Sequence, residues 1–381
     1  MIVFVSNFLN HHQFPVASRL YQLTEGRYRF IETEPMPEWI KRGGYSEYEN
    51  LPWLVQAWKG TDADNLAKNL LAEAKAVVWC NNLYLEVIRQ RLKAGKLTFE
   101  FGERWFKRGL MNIFSPRLLK SQLYYHLYFR RSPLYRLNAS AFAANDFAIL
   151  HSYRNRMFKW GYFTKLATTE DFNLEAPRGV SRLKILFVSR FLIWKHPEIP
   201  VLMASELKKR SYDFELNMYG SGPEEQRIKD LIQSLDVADV VRLCGNKPNE
   251  QILEEMRRHD IFVFTSDKNE GWGAVVNEAM GSGCAVVASD AIGSVPFLIE
   301  DGVNGYTFKS GSVEDITSKV ASLLDDPKLC RCLGKRAYET ISKVWSPDNA
   351  AANLLKLIDG IENGNPYVIP LGPCSQALPI R

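Results

Sequence analysis

No stretch of this chain keeps an apolar run near the roughly 18 to 20 residues that a helix needs to cross a bilayer. The first residues, MIVFVSNFL, carry neither a basic region nor a cleavage site, so no secretory leader is expected and the protein should be soluble and cytoplasmic. Cysteine is scarce and unpaired in spacing. Six thiols, at 80, 244, 284, 330, 332 and 374, are scattered over the chain, and Cys330 and Cys332 stand too close together for a zinc knuckle. Buried or incidental thiols in a reducing compartment follow, with no metal site. Acidic side chains are missing from one long segment: Arg104 to Arg136 holds eight basic residues and neither Asp nor Glu.

A chain of 381 residues, 46% hydrophobic, is long for one core and comfortable for two domains. The net charge of +5 is unevenly spread. Residues 1–178 carry 25 basic and 16 acidic side chains, a net +9, against −4 in the remainder. A basic N-terminal half favours an anionic partner, which could be lipid head groups, a phosphorylated acceptor or nucleic acid. Within it, the segment 104–136 interleaves its cations with Trp105, Phe106, Leu110, Met111, Ile113, Phe114, Leu118, Leu119 and several tyrosines. Such a segment suits an anionic membrane surface; the alternative is a core-packing helix pair with a cationic outer face.

The most informative stretch is Thr265 to Glu278, T-S-D-K-N-E-G-W-G-A-V-V-N-E. An apolar run, Ile261 to Phe264, precedes it, and a second, Ala285 to Ala288, follows G-S-G-C. Strand, glycine-containing loop, helix and strand make one unit of a parallel sheet. Gly271 and Gly273 flank Trp272, so the backbone can approach a ligand closely and present amides at the positive end of the helix. Glu270 is placed to accept hydrogen bonds from a sugar. Glu278, two turns on, is placed to accept from a second polyol such as a ribose.

The pair Glu270 and Glu278 in this context, followed by G-S-G-C-A-V-V-A-S-D and G-S-V-P-F-L-I-E-D-G-V-N-G-Y-T-F, resembles the donor site of retaining GT-B glycosyltransferases of the family 4 type (glycosyl transferases group 1). The resemblance is strong over residues 183–361 and weak over the first 180. It implies an α/β fold of two Rossmann-like domains facing across a cleft: an acceptor domain over 1–178, a nucleotide-sugar domain over 179–361 whose last helix crosses back to the first, and a surface tail over 362–381. The expected linker is Glu175 to Ser181, with Pro177 and Gly179.

The resemblance also assigns roles. After the strand Lys184 to Val188, Arg190 and Lys195 match the family's cations that neutralise a diphosphate as it departs; His196 is a lesser candidate. Asn246 and Lys247 fall near the nucleobase loop, where Asn249 could equally cap the helix that follows. In the N-terminal domain, His11 and His12 occupy the loop after the first strand as candidate acceptor contacts, although the family usually has glycines there. After the strand Leu97 to Phe101 the family often has a histidine; this chain has Glu103 and Arg104. Either Glu103 takes over as a polar contact to sugar or acceptor, or the correspondence is shifted, or Glu103 forms a structural salt bridge with a nearby arginine. Asp146 to Leu150 is expected to close the first sheet. Ser294 and Phe297 depart from the family's glycine and glutamate.

The implied activity is transfer of a sugar from a nucleotide diphosphate sugar to a glycan or lipid-linked acceptor with retention, in polysaccharide or lipid-linked oligosaccharide assembly. No D-x-D precedes an apolar strand, which agrees with transfer without a metal or other cofactor, and no nucleic-acid partner is expected. Two alternatives stay open: a catalytically silent GT-B-like binding subunit, and a nucleotide-sugar epimerase of the same architecture. A peripheral position on the cytoplasmic face of the membrane goes with the basic segment.

Overall fold

The computed structural model describes every residue except 42–46, 81–83, 108, 110, 112–113, 167–181 and 381, and omits the side chains of 39, 117, 118, 121, 122, 124 and 126. The expected linker at 175–181, and Arg108, Leu110 and Ile113 of the basic segment, lie outside the described residues. The chain divides into two units, Met1–Lys165 with Trp345–Arg381, and Leu166–Val344. The change of unit thus falls at 165/166, where the sequence had suggested 178/179, and everything from Trp345 onward goes with the first unit.

In the first unit the apolar runs become β1 (Ile2–Ser6), β2 (Tyr28–Glu32), β3 (Leu54–Gln56), β4 (Ala76–Cys80), β5 (Leu97–Gly102), β6 (Leu134–Asn138) and β7 (Met157–Lys159), in the order β3-β2-β1-β4-β5-β6-β7. All neighbours pair in parallel. Helices cover both faces, which is why β4, A-V-V-W-C, is apolar throughout rather than alternating. The helix Pro347–Glu362, capped by Ser346 at the amide of Asn349, packs against the helix Phe14–Leu23, with Arg19 on Asp348 at 2.8 Å.

The second unit repeats the plan with β8 (Leu183–Val188), β9 (Phe214–Tyr219), β10 (Val241–Gly245), β11 (Ile261–Phe264), β12 (Ala285–Ser289) and β13 (Tyr306–Phe308), ordered β10-β9-β8-β11-β12-β13 and again parallel. In both sheets the strand order reverses beside the first strand, the doubly wound arrangement in which ligands collect at the carboxyl ends of the strands at the switch point. In the second unit that point lies between β8 and β11.

Three expectations are corrected. Residues 146–150 do not form a strand: Ala143–Ile149 is a helix, and β6 and β7 complete the sheet. The alanine-rich sequence buries Ala143, Ala144 and Phe147 at helical spacing, and the buried Asp146 accepts from the amide of Phe106 at 2.8 Å and from Arg104 at 2.9 Å. The tail is a surface segment only in part: 362–371 is mostly exposed and 372–377 mostly buried. Residues 374–377 bond to β7 through Cys374 N to Lys159 O (2.7 Å), Lys159 N to Ser375 O (2.8 Å) and Ala377 N to Met157 O (2.9 Å), covering the edge of the sheet. Finally, the basic segment is not uniformly superficial. Arg136 is 1% exposed, 3.0 Å from Glu100, bonded to Asn138 and to the carbonyl of Glu103, and stacked 4.1 Å from the ring of Phe147.

Among the described residues no helix is long and apolar enough to cross a membrane. None of the six cysteines is in a disulfide; Cys80, Cys284, Cys330 and Cys374 are buried.

Candidate active site

Two loops leave the switch point of the second sheet, one after β8 and one after β11, and they are laced together. The amide of Asp267 donates to Trp194 O at 3.0 Å, and Thr265 Oγ1 donates to the carbonyls of Lys195 and His196 at 2.8 and 3.0 Å. His196 holds a left-handed conformation at φ +48°, with Nδ1 2.9 Å from Glu198 and Nε2 3.5 Å from Asp267. The outcome is a direct ion pair between Lys195 Nζ and Glu270, with both side chains largely shielded and the ammonium 5.1 Å over the ring of Phe264. Two residues 75 apart in sequence, expected at one site, are therefore in contact.

Arg190 is exposed in the loop after β8. That loop is held against the G-S-G-P turn after β9: Ser189 N donates to Tyr219 O, Phe191 N to Ser221 O and Glu224 N to Phe191 O. The approach is so close that a Cβ on Gly220, at φ +137°, would lie 1.8 Å from Ser189 O, and one on Gly222 2.4 Å from Phe191 O. Only glycine serves there.

Gly273, at φ +83°, turns the chain into the helix Ala274–Gly281. A Cβ on it would meet Ile292 at 2.9 Å and Phe264 at 3.0 Å. Gly271 is buried, and Trp272 is too: its indole N–H donates to Asn277 Oδ1 at 2.8 Å and its ring lies 6.2 Å from Phe297. What Trp272 offers a ligand is backbone; its side chain anchors the loop. Ser294, one of the departures from the family pattern, donates its amide to Trp272 O at 3.1 Å and braces the same loop.

Glu278 is buried and accepts from Asn249 Nδ2 at 3.0 Å. Asn249 thus does not cap its own helix, Asn249–Arg258, which has no side-chain cap. Burial pushes the Glu278 carboxyl from 4.5 up to about 7, and the Asn249 bond opposes that only in part. A folded-state value above the unfolded one means a contribution to stability that is complete below about 4.5 and is lost as pH rises through about 7. Glu278→Gln should therefore melt with the parent at pH 4.5 and above it at pH 8, by up to roughly 3 kcal/mol. Equal melting differences at the two pH values would show that the carboxyl titrates normally.

Asn246 and Lys247, just past β10, point to neighbours within the unit: Asn246 Nδ2 donates to Ser221 Oγ at 2.6 Å, and Lys247 pairs with Glu255 at 2.8 Å over the ring of Tyr219.

The remaining candidates sit in the first unit. His11 and His12 follow β1, their rings 3.6 Å apart. Asn10 Oδ1 accepts from the amides of His12 and Gln13, shaping the turn. Burial lowers His11 to about 4 and His12 well below its ordinary value, so both imidazoles are neutral near pH 7. Glu103 follows β5 and is paired with Lys107, with the Tyr162 hydroxyl 3.4 Å away; the partner is a lysine, because Arg104 turns to Asp146. The roles of Asn249, Asn277 and Thr265 as partners of the site residues were not expected from the sequence, which had offered Asn249 only as a helix cap. Each acts on a residue that was expected, but only Asn277, five residues from Trp272, stood near its partner in sequence.

Residues 173–340 match the family of glycosyl transferases group 1. An exopolysaccharide phosphotransferase of Streptomyces coelicolor is 31% identical over 124 residues, 32% of this chain and 13% of the relative. The N-acetyl-alpha-D-glucosaminyl L-malate synthase of Bacillus anthracis is 31% identical over 129 residues, 34% of this chain and 33% of the relative. The chain thus spans a third or less of the length of these curated relatives. HepE of Anabaena, solved with UDP, superposes with a TM-score of 0.67 at 14% identity, over 93% of this chain and 99% of that one.

Proposed function

We propose, because residues 173–340 match the family of glycosyl transferases group 1, that the chain is a retaining glycosyltransferase, moving a sugar from a nucleotide diphosphate sugar to an acceptor hydroxyl in polysaccharide or lipid-linked glycan assembly. The observation that carries this reading is the ion pair of Lys195 and Glu270 at the switch point of the second sheet. Lys195, with Arg190, faces the diphosphate. As the bond from the anomeric carbon to the phosphate oxygen lengthens, negative charge grows on that oxygen, and a preset ammonium stabilises it without having to reorganise. The start of the helix Ala274–Gly281 adds its dipole from the other side. Glu270 holds a sugar hydroxyl. The acceptor oxygen attacks from the face the diphosphate leaves, and its proton passes to the departing phosphate oxygen.

Glu278 takes the ribose, and Asn246 and Lys247 border the base. Uracil is the first base to try, since HepE was solved with UDP. His11, His12 and Glu103 are assigned to the acceptor side.

A panel of nucleoside diphosphates and their sugars, read by thermal shift on the parent and on Glu278→Ala, tests the donor site. A ligand at 100 times its Kd adds about 2.7 kcal/mol to the state that binds it. The expected result is a shift with one base that Glu278→Ala loses. No shift with any nucleotide would overturn the reading in favour of a silent binding subunit. Acceptor-independent conversion of the sugar to its epimer would point to an epimerase, whereas release of the unchanged sugar reports only transfer to water.

A further inference from the structure

The basic segment after β5 is not absorbed by this function. Its described residues expose Met111 (77%), Phe114 (70%), Leu119 (45%), Leu123 (59%), Leu127 (51%) and Tyr128 (69%). Among the described residues, six of the 16 exposed large apolar side chains thus fall within 18 residues. The helix Pro116–Ser121 runs on into the wider turns of Gln122–Tyr128. Tyr125 and Phe129 anchor these turns in the core, with Tyr125 5.2 Å from Trp79, while Leu119, Leu123 and Leu127, four residues apart, form a stripe on the outside.

Cations border the stripe. Lys120, Arg130 and Arg131 are exposed. A groove of about 430 Å³ between Leu123, Tyr128 and Phe129 on one side and Arg89 and Lys93 on the other continues it. Its one carboxylate, Glu86, lies 3.6 Å from Arg89. Isolated apolar side chains on a surface are ordinary; a stripe with a cationic border and no acidic residue from Arg104 to Arg136 is not.

We propose that this face of the first unit docks on an anionic lipid bilayer, the apolar stripe entering the interface and Lys120, Arg130, Arg131 and Lys93 lying at the level of the head groups. A bilayer is chosen over a protein partner because of the pairing of chemistries: exposed leucines along one line and flexible cations beside them complement acyl chains and phosphates at once. Among the described residues no helix is long and apolar enough to cross a membrane, and the attachment proposed is a peripheral one. The inference does not depend on the donor-site reading, since it rests on different residues.

The test is co-sedimentation with vesicles of phosphatidylcholine alone or with 30% phosphatidylglycerol, at low and high salt. The parent should bind the anionic vesicles at least ten times more tightly, and less tightly in high salt. Lys120→Gln/Arg130→Gln/Arg131→Gln should weaken binding on the order of 100-fold, and Leu123→Gln/Leu127→Gln at least ~10-fold. All five positions are exposed, so both variants should melt with the parent and keep its nucleotide response. Equal binding to both vesicles, or an apolar variant that binds like the parent, would overturn the proposal. So would a parent that sediments as a dimer and becomes monomeric in Leu123→Gln/Leu127→Gln, which would make the face a self-interface.

Discussion

Lys195→Ala should lower turnover by about 10²–10³-fold, and Glu270→Ala by at least as much, yet the two should diverge in ligand binding. In the ligand-free protein the ammonium and the carboxylate neutralise each other. Removing Lys195 leaves a carboxylate beside the diphosphate position proposed above, and a nucleoside diphosphate should then bind at least ~10-fold more weakly. Removing Glu270 leaves an uncompensated cation there, so the diphosphate should bind as tightly as before or more so, while the sugar should lose the hydrogen-bond acceptor proposed for it. Titration calorimetry with UDP and steady-state turnover on the same preparations separate the effects. Glu270→Ala with parental turnover would remove it from the sugar site. Parallel losses of affinity in both variants would mean the pair is structural. Either substitution also strands a partly buried charge, at a cost below the ~3–5 kcal/mol of a fully buried pair; the double variant should recover part of it.

The largest effect on stability is expected at Arg136. Although it ends the basic segment, its guanidinium is buried: it faces Glu100, lies over Phe147, and donates to Asn138 and to the carbonyl of Glu103. The hydroxyl of the buried Tyr153 also donates to Glu100. Arg136→Ala removes the cation and leaves that carboxylate largely enclosed, the situation that costs about 3–5 kcal/mol. In a unit of this size that lowers Tm by roughly 10 °C. Arg136→Met/Glu100→Gln removes both charges and keeps much of the volume, so it should recover more than half of the loss. Scanning calorimetry reads both variants, with Arg131→Gln as a surface control that should not move Tm. A shift under about 2 °C for Arg136→Ala would mean that the site admits water and the charges are solvated.

These two sites mark what the sequence made legible. The parallel strands could be read because both of their faces are buried, which turns them into uninterrupted apolar runs such as Ile261–Phe264 and Ala285–Ala288. Glu270 was singled out because it lies in a loop directly after such a run, and Lys195 through the family resemblance; the structure brings the two into contact. Arg136 was not singled out. A charge in a row of charges looks solvated, and only the arrival of Glu100 and Phe147 from β5 and the helix Ala143–Ile149 buries it. The bond from Asn249 to Glu278 spans 29 residues and two elements, beyond any local pattern. Residues 146–150 misled for the opposite reason: a short apolar stretch suits strand or helix alike, and the decision came from Arg104 and the Phe106 amide gathering on Asp146. The tail carries no periodicity because it is held by backbone bonds to β7 rather than by a repeating face.

The division of the chain sets an order of events during synthesis. The second unit lies wholly within 166–344, so its last strand and helices have left the ribosome while the first unit still lacks the helix Pro347–Glu362 and the segment that covers β7. The domain translated first is thus the one completed last. Until then the edge of its sheet at Met157–Lys159 is open to other chains, a period in which a chaperone has most to protect. A stop codon shortly after residue 344 would leave the second unit whole and strike the first, most of which is translated before it.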